Sequence, residues 1–82
     1  MTDEELAKAA TEEGSKVVAA CIQKPGALTG ILANENALMV FALMMQQPMY
    51  LAARAKLLSR GHTEDDFALV EKMAKGIWEA AK

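Results

Sequence analysis

The residues with the clearest chemical potential stand together where the single histidine, His62, precedes Thr63 and three consecutive carboxylates, Glu64–Asp65–Asp66. Imidazole and carboxylate groups are ligands for borderline or hard cations. Consecutive side chains on a helix point to different sides, however, and this spacing matches no established metal motif. A threonine cap followed by an acidic first turn explains the same residues. The sequence therefore predicts no metal site here.

Nucleophilic catalysis would require Cys21, the only cysteine, to be activated by the only imidazole. Cys21 lies in the apolar segment Val17–Ile22, and a thiol in such surroundings behaves as an inert small hydrophobe. Gly26 and Gly30 lack the lysine and serine that follow the glycines of a phosphate-binding loop. These observations predict a protein that is not an enzyme and needs no cofactor.

The positive charges in the middle of the chain form a third candidate site. Between Ala37 and Thr63 the sequence has no carboxylate, and its cations are Arg54, Lys56 and Arg60. Two interpretations are open. The cations pair with the acidic turns of neighbouring helices, or they contact a phosphate group or an acidic partner.

The turn around Gly61 also has the outline of a DNA-binding helix-turn-helix. The second helix of that motif would enter the major groove through its first turn, which is acidic at 64–66, so phosphates would repel it. The formal net charge of −2 adds no general attraction to nucleic acid or anionic membranes. Nucleic acid is therefore the least favoured of the partners considered.

An unbroken apolar segment at 37–45, Ala-Leu-Met-Val-Phe-Ala-Leu-Met-Met, is the element around which the others must be arranged. A helix that is apolar on all sides must be covered on all sides. The segment is shorter than the ~18 residues that a membrane span requires, so it predicts a buried central helix. Its cover can come from its own chain, from copies of that chain, or from a partner.

Helix signals recur before this segment. Thr2 has the spacing of a helix cap with Glu5, and the lysine, proline and glycine at 24–26 end the first helix. Gly14 has two interpretations: it ends a short first helix, or it lets a neighbouring element approach closely beside Ala10. The side that this helix is expected to bury comprises Leu6, Ala10, Val17, Cys21 and Ile22.

Caps and breakers set the limits of the central helix. The segment 27–33 is either a helical turn or a buried loop. Asn34 or Asn36 caps the central helix, which is expected to end near Gln47 because Pro48 disfavours helical geometry in the residue before it.

Two further helices are predicted after Pro48, which is favoured in a first helical turn. The earlier one covers 49–58 and stops at Gly61, and the later one starts at Thr63. The apolar side of the later helix comprises Phe67, Val70, Ala74, Ile77 and Ala81, with Met73 alongside. The expected fold is all-α: a small bundle or orthogonal array of four to five helices around a central apolar helix.

Length and composition indicate one globular α-helical domain over residues 1–82. The chain is 52% hydrophobic and 24% charged, whereas disordered chains combine low hydrophobicity with high net charge. Its single cysteine and its acidic start, without a signal-peptide pattern, predict a cytoplasmic protein.

The methionines give the main indication of function, because flexible thioethers are common at adaptable binding surfaces. Alanine-rich neighbouring segments supply little apolar bulk to cover the central helix. We therefore predict an assembly module, either a homo-oligomer or a small subunit or adaptor of a larger complex, such as a filament or virion component. The alternative is a carrier of a hydrophobic small molecule. The candidate interface residues are Met39, Phe41, Met44, Met45, Met49, Tyr50 and Trp78.

Overall fold

Helices account for nearly the whole of this computed structural model, which describes residues 2–81. The elements are α1 (Asp3–Gln23), the 3-10 helix η1 (Leu28–Ala33), α2 (Glu35–Met45), α3 (Tyr50–Ser59) and α4 (Glu64–Ala81). Residues 2–81 contain no strand, so the predicted all-α class and number of helices are confirmed. Within the same residues, no helix combines the length and apolarity needed to cross a membrane. The domain predicted over 1–82 also includes Met1 and Lys82, which lie outside the described residues.

Three helices begin with the kind of side-chain cap that the sequence indicates. The hydroxyl of Thr2 accepts a hydrogen bond at 3.2 Å from a backbone N–H in the first turn of α1, and the hydroxyl of Thr63 does the same in α4. The side-chain oxygen of Asn34 accepts the corresponding bond at 3.0 Å in α2. Asn34 rather than Asn36 is therefore the cap of the central helix. Each bond satisfies one backbone donor that the helix itself leaves free.

Gly14 lies inside α1, which is one continuous helix. The glycine is buried against the start of α2, and a Cβ at this position would lie 2.7 Å from Cγ2 of Val40 and would also collide with the carbonyl group of Asn36. The interpretation of Gly14 as a point of close approach is therefore confirmed, and its interpretation as a helix end is wrong.

The centre of the molecule is α2, which packs against α1, η1 and α4. The side of α2 that faces the interior contains Ala37, Leu38, Phe41 and Ala42, all buried. The segment 27–33, predicted as either a helical turn or a buried loop, is helical over η1. It brings two fully buried side chains, Leu28 and Ile31, into the same core. Residue spacing in a 3-10 helix is close to three per turn, which places these two side chains on one side.

The connection between α2 and α3 differs from the prediction by two residues. α2 ends at Met45, and Pro48 lies in a turn rather than in the first turn of α3. The backbone N–H of Tyr50 donates to the carbonyl oxygen of Gln47 at 3.1 Å, so a separate turn precedes α3. The end of α3 agrees with the prediction: Gly61 follows it with φ +110°, a conformation that glycine adopts readily.

The buried sides of α1 and α4 differ in part from those expected. In α1 the buried side chain is Val18, whereas Leu6 is exposed because the first half of the helix lies beyond the core. In α4 the buried residues include Ala74 as predicted, but Met73 and Ala81 are exposed. Met73 is turned about 100° around the helix from Ala74, and this rotation carries it out of the contact with α2 and η1.

Candidate interaction surface

Two of the predicted interface residues, Phe41 and Tyr50, lie in the core. Their rings form an edge-to-face pair with centroids 5.9 Å apart, and both residues are buried. Aromatic rings in this arrangement gain a specific attraction in addition to the burial of apolar area. The two side chains therefore stabilise the single chain, and Phe41 presents no surface to a partner.

The other predicted interface residues lie at least partly at the surface. Met49 is 72% exposed, and Met39, Met44, Met45 and Trp78 are partly buried. They do not form one patch, because they line three separate grooves.

The first of these grooves lies between α1 and α2 and has a volume of about 200 Å³. Ala10 and Thr11 line it from α1, and Met39, Val40 and Leu43 line it from α2, with Asn36 at one end. We call this surface, together with Leu6 one turn before Ala10, the α1–α2 groove. Leu43 is 42% exposed and Leu6 is 53% exposed, so the groove presents two large apolar side chains to solvent.

Two other grooves lie near the end of α2. One has a volume of about 160 Å³ and is lined by Met44, Met49 and Ala53 together with Gln47 and Tyr50. The other has a volume of about 350 Å³ and contains charged groups. Its lining residues are Ala42, Met45, Gln46, Lys75, Trp78 and Glu79.

Arg54, one of the predicted anion contacts, binds two carboxylates of its own chain. Its Nε lies 3.1 Å from Oε2 of Glu71, and its guanidinium also contacts Glu64 at 2.8 Å. The guanidinium carbon lies 5.1 Å from the centre of the Phe67 ring, within the range of a cation–π contact. The hydrogen bonds with Glu64 and then with Glu71 raise the pKa of Arg54 above its ordinary value. Arg54 thus follows the first interpretation, in which a cation pairs with a neighbouring acidic helix.

Lys56 and Arg60 are exposed and remain candidates for the second interpretation. Both lie towards the end of α3 or just after it, where a positive charge complements the helix dipole. Neither geometry nor burial singles out an anion site around them, so their role as anion contacts stays a prediction.

Tyr50 joins the same cluster, because its hydroxyl donates a short hydrogen bond to Oε2 of Glu71. Burial, and then the bond to the Glu71 carboxylate and its negative charge, raise the pKa of Tyr50 well above its ordinary value. The folded state therefore favours the neutral phenol, whereas in the unfolded chain a tyrosine ionises near pH 10. The resulting stabilisation is complete below about pH 10 and decreases above it.

We expect the free energy of unfolding to fall more steeply above about pH 10 in the wild type than in Tyr50→Phe. The extra slope from one tyrosine is at most about 1.4 kcal/mol per pH unit. Urea titrations at several pH values from 8 to about 11.5 measure this slope. The lysines titrate in both proteins, so their contribution cancels in the comparison. Equal slopes in the two proteins would contradict the inferred environment of Tyr50.

His62 has a structural position rather than a place among metal ligands. It is 4% exposed, and its Nε2 donates to the carbonyl oxygen of Ile22 at 2.8 Å, which ties the α3–α4 turn to the end of α1. A carbonyl can only accept, so the donated hydrogen fixes Nε2–H as the tautomer. No three histidine, cysteine or acidic side chains among residues 2–81 are grouped to bind a metal, and Cys21 lies half-buried beside Gly30.

The surface that sequence reasoning missed is the α1 side of the α1–α2 groove. The sequence pattern predicts Leu6 on the core side of α1 and Leu43 in a helix covered on all sides, whereas both side chains are exposed. The available signal was the pair Ala10 and Gly14, one turn apart, which allows α2 to lie close to α1. Comparison of the chain with protein-family models, curated proteins and solved structures gave no match.

Proposed function

We propose that this chain is a non-enzymatic assembly module that buries apolar surface against other chains, in the first instance copies of itself. One observation carries the proposal: the chain leaves part of the outer side of its apolar central helix open to solvent. The inner residues of α2 are buried, whereas Leu43 is 42% exposed and Met39 lies beside it in an open groove. A helix that is apolar on both sides is stable in water when both sides are covered.

The energetic scale supports this proposal. Burying apolar surface contributes about 25 cal/mol per Å², so a large aliphatic side chain contributes about 1.5–3 kcal/mol when it is fully removed from water. A chain of this size is stable by only about 4–12 kcal/mol. Leu6 and Leu43 are 53% and 42% exposed, so covering both would contribute about 1.5–3 kcal/mol, a substantial part of that amount.

The interior of the molecule does not favour the carrier alternative. The largest fully buried side chains are Phe41, Phe67, Leu28, Ile31 and Val70, and they belong to one continuous hydrophobic cluster. The grooves described above lie at the surface. We therefore propose assembly alone.

Light scattering coupled to size exclusion tests the proposal. We expect the mass to exceed the single-chain value of 8.8 kDa and the assembled fraction to rise with concentration over a hundredfold range. Assembly driven by apolar burial should also persist in high salt, because screening weakens charge pairs but not the hydrophobic effect. A mass of one chain at every concentration would contradict the proposed function.

A further inference from the structure

We propose that two copies of the chain pair through the α1–α2 groove around a two-fold axis. In this dimer the outer side of α2 and the first half of α1 in one copy pack against the same elements of the other. The inference rests on the proposed function and adds to it the identity of the partner, a second copy, and the surface that it occupies.

The exposed area of the single chain provides the first argument. Its accessible surface is 5489 Å², whereas a folded monomer of this mass exposes about 4,800 Å². The excess is therefore about 700 Å². A stable interface of standard size buries about 800 Å² on each partner, so the excess corresponds to what one symmetric contact would cover.

The shape of the chain shows where this excess lies. The radius of gyration is 12.6 Å and the longest dimension is 41 Å against 23 Å in the other two directions, while a compact chain of this length has a radius of about 11.7 Å. The first half of α1, residues 3–13, is exposed throughout except for the partly buried Ala10. A helical segment of this length is marginal in water without packing. A second copy lying along the groove would supply that packing.

The chemistry of the groove favours a copy of the same chain. Its lining side chains, from Ala10 to Leu43, carry no charge, and the cores of protein interfaces are depleted in charged residues. A two-fold axis places the residues near the axis opposite their own copies, which is tolerated for neutral side chains and costly for like charges. The uncharged groove therefore lies at the axis, and the five carboxylates of the first half of α1 lie away from it. The groove at Met49 is also free of charged lining residues but is smaller, at about 160 Å³, and α3, which borders it, carries the exposed cations Lys56 and Arg60. The groove at Trp78 contains Lys75 and Glu79.

A charged residue in the groove tests the inference. We expect Leu43→Asp to raise the dimer dissociation constant by at least about thirtyfold, because a carboxylate in the centre of an apolar interface would lose its water. Leu69→Asp is the matched control, since Leu69 is also a helical leucine and is 45% exposed, but it lies on α4 outside the groove. Circular dichroism checks that each variant is folded, and sedimentation velocity measures its mass.

The outcomes separate the interface from the proposed function. A wild-type dimer of two 8.8 kDa chains that is weakened by Leu43→Asp but not by Leu69→Asp supports the inference. A wild-type oligomer that Leu43→Asp leaves unchanged overturns the position of the interface while self-assembly stands. A wild type that stays a single chain contradicts both, and an assembly that grows without limit as concentration rises contradicts the two-fold axis.

A second variant decides the matter if Leu43→Asp fails to fold. Leu6→Glu alters the other wall of the groove at a side chain that is 53% exposed and lies in the half of α1 outside the core. We expect this variant to stay folded and to dissociate. An unchanged dissociation constant for Leu6→Glu would overturn the inference.

Discussion

Phe67→Ala should lower the free energy of unfolding by about 3–5 kcal/mol, the amount typical of removing a buried phenylalanine side chain. Phe67 is fully buried, and its ring centre lies 6.4 Å from that of Phe41 and 6.1 Å from that of His62. The substitution would also remove the ring beneath the guanidinium of Arg54. In a chain that is stable by about 4–12 kcal/mol, this loss is a large fraction of the free energy of unfolding.

Leu69→Ala is the control for Phe67→Ala. Leu69 lies two residues further along α4 and is 45% exposed, so we expect its truncation to cost less than about 1 kcal/mol. Urea unfolding followed by circular dichroism measures both variants. If Phe67→Ala were no more destabilising than Leu69→Ala, Phe67 could not be at the centre of the core.

Gly14→Ala should destabilise the protein by about 2 kcal/mol, although alanine is the better helix former by about 1 kcal/mol. The new Cβ would lie 2.7 Å from Cγ2 of Val40 and would meet the backbone of Asn36, which cannot rotate away as a side chain can. Overpacking of a close contact costs about 1–3 kcal/mol and sometimes more. We expect the cost of separating α1 from α2, about 3 kcal/mol, to exceed the gain of about 1 kcal/mol in helix propensity.

Gly76→Ala is the matched control for Gly14→Ala. It also lies inside a helix, α4, but a Cβ there would have no atom within 4 Å apart from its chain neighbours and the backbone of its own helix. Only the helix propensity and the entropy of the unfolded chain then change, so we expect a gain of about 0.5–1 kcal/mol. Thermal unfolding of both variants provides the comparison, and a stabilised Gly14→Ala would show that α1 and α2 do not approach closely at this point.

The sequence predicted the helices because their signals are local. Thr2, Asn34 and Thr63 cap helices through bonds to residues three positions further on, and Gly61 ends a helix through its own backbone conformation. Such interactions depend on a few neighbouring residues and need no tertiary contact. The apolar run at 37–45 likewise predicted a central helix from composition alone.

The candidate surface could be predicted only in part. The sequence predicts Met49, Phe41 and Tyr50 as interface residues, but only Met49 is exposed, whereas Phe41 and Tyr50 lie in the core. Composition alone cannot separate these cases, because an aromatic side chain is equally favoured in a core and at the centre of an interface. The direction in which each residue points depends on how neighbouring helices are rotated.

By itself, the sequence determined the all-α class, the caps at Thr2 and Thr63, and the central position of the apolar helix. Tertiary structure alone decided that Arg54 pairs with Glu71, that His62 is tied to Ile22, and that Leu43 is exposed in an open groove beside Ala10. The physical reason is the distance along the chain between the residues that interact. Helix formation follows interactions between residues three or four positions apart, whereas these contacts join residues far apart in the chain and depend on the packing of whole helices.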